Sequence, residues 1–544
     1  MDSNPANGSS IYDRFIAFYA RRHDGALVHC TNQALRANWA AFPTMEENFS
    51  TTSQHKVRTV SLVSTACSGT IMREEPSASV NGILLEQEHG EDLISGIIIK
   101  PNASGSFDDL DVHLMNLILR SARAGTPMQE MTARFQTDDN LVDEIADLFN
   151  ETLRNVTPGD QWAVTGREYF TQRLKHFIRH SMRLQFALPA FPCKSSNPNK
   201  VGGNLPDLGE MIALTTLHKF VMDIEHLYAP GATVLIVSDG HVFSDCIGVD
   251  DSMVDRYSKH LCEMNDALSR TFHDDGRRRV CLRSLTDMLQ TQGDDIQSAA
   301  SVRHLSLGPI SHHIERVQIN DDAELCRRLL MQGFKADAHQ LQNRIQIQDP
   351  AMLRLYRGFS RFMLEDLENN IYTKHLSKTQ RRKLSSKVAL EMIERNQAYS
   401  NLVEVMLPNH IRLSIHAHDN AGPKFGINLM GPEVRATDSL PPNGRKQESC
   451  DLLHVPTPWH GCIVEVAGDD HLYLAKVEHV RAALREKKIL AAWVVTSLGR
   501  TRAAATRCTT RHASDRSLEA SSDSGMLPCA AYFSVIPTDM QYHV

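Results

Sequence analysis

Pro230-Gly231-Ala-Thr233-Val-Leu-Ile-Val237-Ser238-Asp239-Gly240-His241-Val-Phe-Ser-Asp245 carries the strongest signal of architecture in the chain. Residues 233–237 form an unbroken, β-branched apolar run, the mark of a strand covered on both faces. Upstream, Met211, Ile212, Leu214, Leu217, Phe220, Val221, Ile224 and Leu227 recur at helical spacing, with Asp207 placed to cap them. Pro230-Gly231 stops that helix. Helix, short turn, buried strand and polar loop is the order of an α/β fold, here expected as a mainly parallel or mixed sheet flanked by helices. In such sheets the ligand crevice lies beyond the carboxyl ends of the strands, where Ser238 to Asp245 would fall.

Moving outward, residues 169–184 have helical spacing and a basic face of Arg173, Lys175, Arg179 and Arg183, closed by Leu188-Pro189-Ala-Phe-Pro192. Residues 251–350 read as largely helical. A long helix at 377–406 carries Leu384, Val388, Met392 and Ile393 on one stripe. Ile411-Arg412-Leu-Ser414-Ile415 alternates as a strand does, and 425–430 and 463–466 also read as strands. Three regions are expected: a variable, less ordered N-terminal extension at 1–125 with some helix after Asp108, a catalytic domain at 130–490, and a disordered tail at 491–544. The tail expectation rests on the Arg/Ala/Thr/Ser-rich stretch 498–526, which has no apolar period.

The 544 residues are 42% hydrophobic and 23% charged, ordinary globular values, and a net charge of −7 points to no nucleic-acid partner. No apolar stretch of about 18 residues exists, so no membrane span is expected. The first residues show no secretory leader, and the 11 cysteines contain no CxxC pair. A cytoplasmic protein with reduced thiols and no zinc site is the expectation.

Four clusters could carry chemistry. Lys194-Ser195-Ser196-Asn197-Pro-Asn-Lys200 with Gly202-Gly203 suits a phosphate or carboxylate, or is a solvated turn. Ser238-Asp239-Gly240 through Asp245 supplies strand-end carboxylates for proton transfer, or an Asx-turn with Gly240 at positive φ. Arg412, Ser414 and His416 share one strand face, followed by His418 and Lys424; that face meets a polar ligand or is an exposed edge. His460, in Thr457-Pro-Trp-His460, is a proton carrier or a packed structural residue. Cys193 and Cys246 are candidate nucleophiles of a hydrolase, although no GxSxG elbow is present.

Together these clusters resemble the pyoverdine/dityrosine biosynthesis family, which contains the isocyanide synthases, here of fungal type. The resemblance rests on Leu188-Pro-Ala-Phe-Pro-Cys-Lys194-Ser195 with Asn197, on Pro206-Asp207-Leu-Gly-Glu210, and above all on Ser238 to Asp245. It continues through Leu355-Tyr-Arg-Gly358 with Asp366, Ile393-Glu-Arg395-Asn396 to Tyr399-Ser400, Ile411 to His416, Lys424-Phe-Gly-Ile and Thr457 to His460. His241, Ser196 and Cys246 depart from the family pattern, which bears on the substrate. No dioxygenase domain of the kind appended in some fungal relatives is expected within these 544 residues, so a decarboxylating oxidation is expected of a separate pathway enzyme.

The resemblance implies conversion of an amino acid's α-amine to an isocyano group, with ribulose 5-phosphate as carbon donor, in secondary metabolism. No metal or other cofactor is implied. In that reaction Lys194 and Lys200 or Arg412 would hold phosphate or carboxylate. Asp239 and Asp245 would handle the amine and sugar hydroxyls, with His416 and His460 carrying protons. Ser195, Asn197, Ser238 and Lys424 would complete substrate binding. Two alternatives stand beside it: a dityrosine-type enzyme modifying tyrosine for a spore wall, and a non-catalytic sugar-phosphate-binding protein.

Overall fold

The computed structural model describes residues 139–289, 305–437 and 456–497 apart from gaps of one or two residues, the strand at 529–537, residue 440, and, before residue 139, six strands and part of a short helix at 109–117. The central sheet has five strands, β7 (Leu184–Pro189), β8 (Ala232–Val237), β9 (Val280–Arg283), β10 (Ile411–Ser414) and β11 (Lys424–Gly426). Their order is β11-β10-β7-β8-β9, and every pairing is parallel.

The side chains of β8 explain its composition. Val234 and Ile236 enter one core with α1 (Asp139–Thr152), α2 (Arg167–Arg179), α3 (Leu208–Leu227) and α5 (Asp251–Phe272). Leu235 and Val237 enter the opposite core with α4 (Gly240–Ile247), α6 (Leu285–Leu289), α7 (Asp321–Phe334), α8 (Ala338–Gln346), α9 (Pro350–Asn369) and α10 (Lys378–Met406). Period-two side chains with helices on both faces leave no position for a polar residue. The helix starts are set locally. Asp207 and Glu210 form a reciprocal capping box on α3, and Ser377 with Gln380 does the same on α10.

A second, mixed sheet contains β12 (Val434–Ala436), β13 (Cys462–Val466), β14 (Leu472–Ala475), β15 (Ile489–Ser497) and β16 (Cys529–Pro537), in the order β12-β14-β13-β16-β15. One face meets Leu208 and Ile212 of α3 through Ile463, Leu474 and Tyr532. The other is covered by Val477 and Val480 of α11 (Val477–Arg485). Helix α3 is therefore shared by two sheets. Near the N-terminus, β1 (Phe15–Arg21), β2 (Leu27–Cys30), β3 (Asn48–Thr52), β4 (His55–Val63), β5 (Ser79–His89) and β6 (Leu93–Ile99) form a third sheet, antiparallel throughout.

Four readings change. The helix expected over 169–184 ends at Arg179, and an interior strand, β7, starts at Leu184 and runs into the first two residues of the segment read as its stop. Residues 240–247, read as a polar loop, are helix α4. The strand containing Arg412 is paired on both sides, so the exposed-edge explanation of its polar row fails. Segments 491–497 and 529–537, within the tail expected to be disordered, belong to the paired strands β15 and β16; residues 498–528 lie outside the described residues.

Gly240 does not take positive φ, which would have closed an Asx-turn. It is required by proximity: a Cβ there would stand 2.2 Å from the Pro192 carbonyl oxygen and 2.5 Å from Val254 Cγ1. Gly240→Ala is expected to cost about 1–3 kcal/mol by overpacking, read as a lower urea midpoint.

Candidate functional site

Lys194 opens the loop after β7, and its ammonium is fully engaged. It donates to the Pro458 carbonyl at 3.0 Å and lies 2.8 Å from both Asp207 Oδ2 and Glu210 Oε2. Burial opposes its charge, but the two carboxylates hold it above the ordinary lysine range. Burial likewise pushes Asp207 up to about 8 against the pull of Lys194. The ammonium is thus flanked by one carbonyl and two carboxylates. Lys194, expected to bind substrate, is held between the cap of α3 and the turn Pro458–His460.

Lys200 is held 2.7 Å from Asp366 Oδ1 and 3.2 Å from Glu365 Oε2, above the Phe362 ring at 4.4 Å. Ser195 donates to Asp366 at 2.9 Å, and the Asn197 amide donates to the Glu365 carbonyl at 3.0 Å. Ser195, Asn197 and Lys200 thus fasten their loop to α9. Because Asp366 keeps Lys200, Ser195→Ala is expected to cost only about 1 kcal/mol in denaturant titration. His460 stands at the same corner, its ring edge-on to Phe362 with centroids 4.9 Å apart.

Asp245, expected to handle the amine and sugar hydroxyls, is surrounded by cations. Arg395 grips it with both guanidinium nitrogens, at 2.6 and 3.0 Å; His312 Nδ1 lies at 2.8 Å and Arg327 Nε at 3.4 Å. Burial would raise its pKa, but Arg395, His312 and Arg327 hold it well below the usual carboxylate range. Ser238 donates to the Phe191 carbonyl at 3.0 Å, which ties β8 to the chain leaving β7. Both are supports of the strand end.

Asp239 differs from all of these. It occupies the N-cap position of α4, yet its side chain makes no cap bond, and Oδ1 is buried with no hydrogen-bond partner among the described residues. The Asx-turn explanation therefore fails for this residue. Burial pushes its carboxyl up to about 7, opposed only by its own backbone N–H. A carboxyl that is half ionised near neutral pH at a strand's carboxyl end is equipped to give and take a proton.

The Tyr399 hydroxyl, which donates to the Val237 carbonyl at 2.8 Å, feels the charges of both Asp239 and Arg412. Next along α10, Ser400 offers its carbonyl to Arg412 at 3.4 Å and accepts from Lys424 Nζ at 2.6 Å on its hydroxyl. Arg412 and Lys424 are register partners on β10 and β11. Lys424 and Ser400 line a cleft of about 500 Å³, with Asn396, Gln397, Glu404 and His418. Burial, aided by Arg412, brings Lys424 down to about 8. His418 donates to or accepts from Ser414 at 3.0 Å, and burial with the neighbouring cations pushes it down to about 3. The His416 ring lies 6.4 Å from that of His418.

The structure thus links Arg412 and Lys424 through Ser400 of α10, sets Tyr399 beside it against the Val237 carbonyl two residues before Asp239, and places Lys200 and His460 around Phe362. Burial raises the Cys193 and Cys246 thiols, which argues against either as a hydrolase nucleophile. Tyr399, Ser400, Arg395 and Asp366 lay within the quoted motifs without a role. Arg327 and Glu365 had no sequence signal, since each gains meaning only from a partner distant in the chain.

A family model described as pyoverdine/dityrosine biosynthesis protein matches residues 174–487. The chain is 40% identical over 353 residues to the spore wall maturation protein of Saccharomyces cerevisiae, a match covering 64% of this chain and 64% of that protein, so just under two thirds of the relative's length. It is 29% identical over 296 residues to the L-tyrosine isonitrile synthase of Xenorhabdus nematophila, covering 54% of this chain and 72% of the other. Isocyanide synthase xanB of Aspergillus fumigatus is 29% identical over 353 residues, 62% of this chain and 41% of xanB. The matched stretch runs from within α2 past the end of α11 and holds the loop, strand end and cleft just described; the chain belongs to the pyoverdine/dityrosine biosynthesis protein family.

Proposed function

We propose that this protein is an isocyanide synthase that converts the α-amine of an amino acid to an isocyano group, with ribulose 5-phosphate supplying the carbon. The observation that carries the reading is Asp239, a strand-end carboxyl with an unsatisfied buried oxygen and a pKa near neutrality. Joining an amine to a ketone requires protons to leave nitrogen and water to leave carbon. One group that can both accept and donate near pH 7 serves both steps. Arg412 and Lys424 supply positive potential for the phosphate or carboxylate of the substrates. This role passes to them because Lys194 and Lys200 are committed to carboxylates. His460 and His416 are left as candidate proton carriers at the edges of the site.

Two relatives whose names specify isonitrile or isocyanide synthesis support the reading. A second reading, favoured by the 40% identity to the spore wall protein, is modification of tyrosine for a wall polymer. No helix among the described residues is long and apolar enough to cross a membrane, and the six cysteines with described side chains are free. We place the reaction in the cytoplasm, with later pathway enzymes acting separately. The test is incubation with ribulose 5-phosphate labelled at C2 and a panel of amino acids, read by mass spectrometry. An isocyanide bearing the label supports the first reading. A modified tyrosine without an isocyanide carbon supports the second, and no product from any amino acid refutes both.

A further inference from the structure

Lys424 is the cleft residue with the least conventional surroundings. Its amine donates to the Ser400 hydroxyl at 2.6 Å, and among the described residues it makes no ion pair. Its register partner across β10 and β11 is another cation, Arg412; neighbouring strands lie about 4.8 Å apart, so the two side chains stand side by side on one face. The other buried lysines of the site loop, Lys194 and Lys200, each have two carboxylates. A lysine that opens onto a cleft of about 500 Å³ with a hydroxyl and a guanidinium as neighbours is arranged as a nucleophile rather than as a structural charge.

We propose that Lys424 attacks the carbonyl carbon of the sugar phosphate and carries it as a covalent imine, with Arg412 beside it holding the phosphate. This deepens the proposed function and rests on it. The nitrogen lone pair adds to the carbonyl carbon, and the π pair moves to oxygen. That oxygen then leaves as water, taking both protons of the neutral amine. The α-amine of the amino acid adds to the same carbon, and Lys424 departs as the free amine. The net change is ketone plus amine to imine plus water, with no electrons gained or lost. Burial and the Arg412 charge leave a substantial neutral fraction of Lys424 near its value of about 8, which the first step requires. Glu404, whose charge acts the opposite way, also lines the cleft.

The experiment is reductive trapping of the full-length protein with ribulose 5-phosphate and sodium cyanoborohydride, without amino acid, followed by peptide mass spectrometry. The expected result is a sugar-phosphate adduct on the peptide bearing Lys424, lost in Lys424→Arg. An adduct on another lysine, or trapping undiminished in Lys424→Arg, overturns the proposal. So does wild-type turnover to isocyanide with no trapping. A second arm separates this from failure of the functional reading and needs no variant: brief labelling with pyridoxal 5′-phosphate and borohydride at pH 7.5. Modification of Lys424 faster than that of the exposed Lys219 supports a reactive amine whatever the natural sugar. Modification no faster than at Lys219 overturns it.

Discussion

Asp239→Asn is expected to lower kcat/KM by about 10²–10⁴-fold while the protein stays folded, because it removes the proposed proton-transfer group and leaves its volume unchanged. Wild-type activity should rise with pH through about 7, where the carboxyl ionises, and the variant should lack that inflection. Stability moves the other way. A carboxyl whose folded pKa is raised binds its proton more tightly in the native state, so native stability falls as pH rises from about 4 to 7. The cost of holding the ionised form at pH 8 is at most roughly 4 kcal/mol for a shift from 3.8 to about 7. Asn cannot ionise. The variant should therefore unfold at higher urea than wild type at pH 8, with the gap narrowing as the pH falls and closing only near pH 4. Full activity with an unchanged pH profile would remove Asp239 from the mechanism.

Asp245→Ala should have the largest effect on stability, a loss of about 3–5 kcal/mol. The carboxylate is bonded at both oxygens by Arg395, which also donates to the Val242 carbonyl at 2.9 Å. Arg327 stands beside it and is bonded in turn to both oxygens of Asp251, to Ser244 and to the His241 carbonyl. Removing the shared anion leaves two guanidiniums in a dry interior with less counter-charge, beneath α4 and between α5, α7 and α10. The folded pKa of Asp245 is depressed. Its contribution is therefore fully present above the unfolded value of about 3.9 and is lost as the pH falls toward the folded value. Denaturant titration at pH 7 and pH 3 is the check: the gap between wild type and variant should be large at the first and smaller at the second. A gap under about 1 kcal/mol at pH 7 would contradict the account.

The parts of the fold legible from sequence are those set locally. Helix α3 announces itself by Asp207, Glu210 and a 3.6-residue apolar period, and β8 by an apolar run too short for a helix. Strand β7 was hidden because Leu184 to Pro189 follows a basic helix whose break is made at Ser181, at positive φ, with no glycine or proline to mark it. Its identity is fixed by β8 on one side and β10 on the other. Within the site, Arg412 was legible because a charged residue on a strand must meet something polar. Lys194 and Asp245 had the right residue types in the right places. What a sequence does not display is that Asp245 meets an arginine 150 positions away, or that Lys194 turns back to the cap of the next helix. Asp239 stands out by the opposite property, the partner it lacks, and this too appears only when the chain is folded.

Strand β16 lies between β13 and β15 in the second sheet, parallel to the first and antiparallel to the second. It places Tyr532 in the cluster that contains Leu208 and Ile212 of α3, and Phe533 and Val535 in the cluster on the other face. A nascent chain that has emerged only as far as residue 500 therefore holds β13 with an open edge and α3 with part of its apolar face bare. Both are templates for self-association. A stop codon anywhere in 498–528 should thus yield inclusion bodies rather than a trimmed, folded protein, and holding that edge closed during translation becomes a task for chaperones.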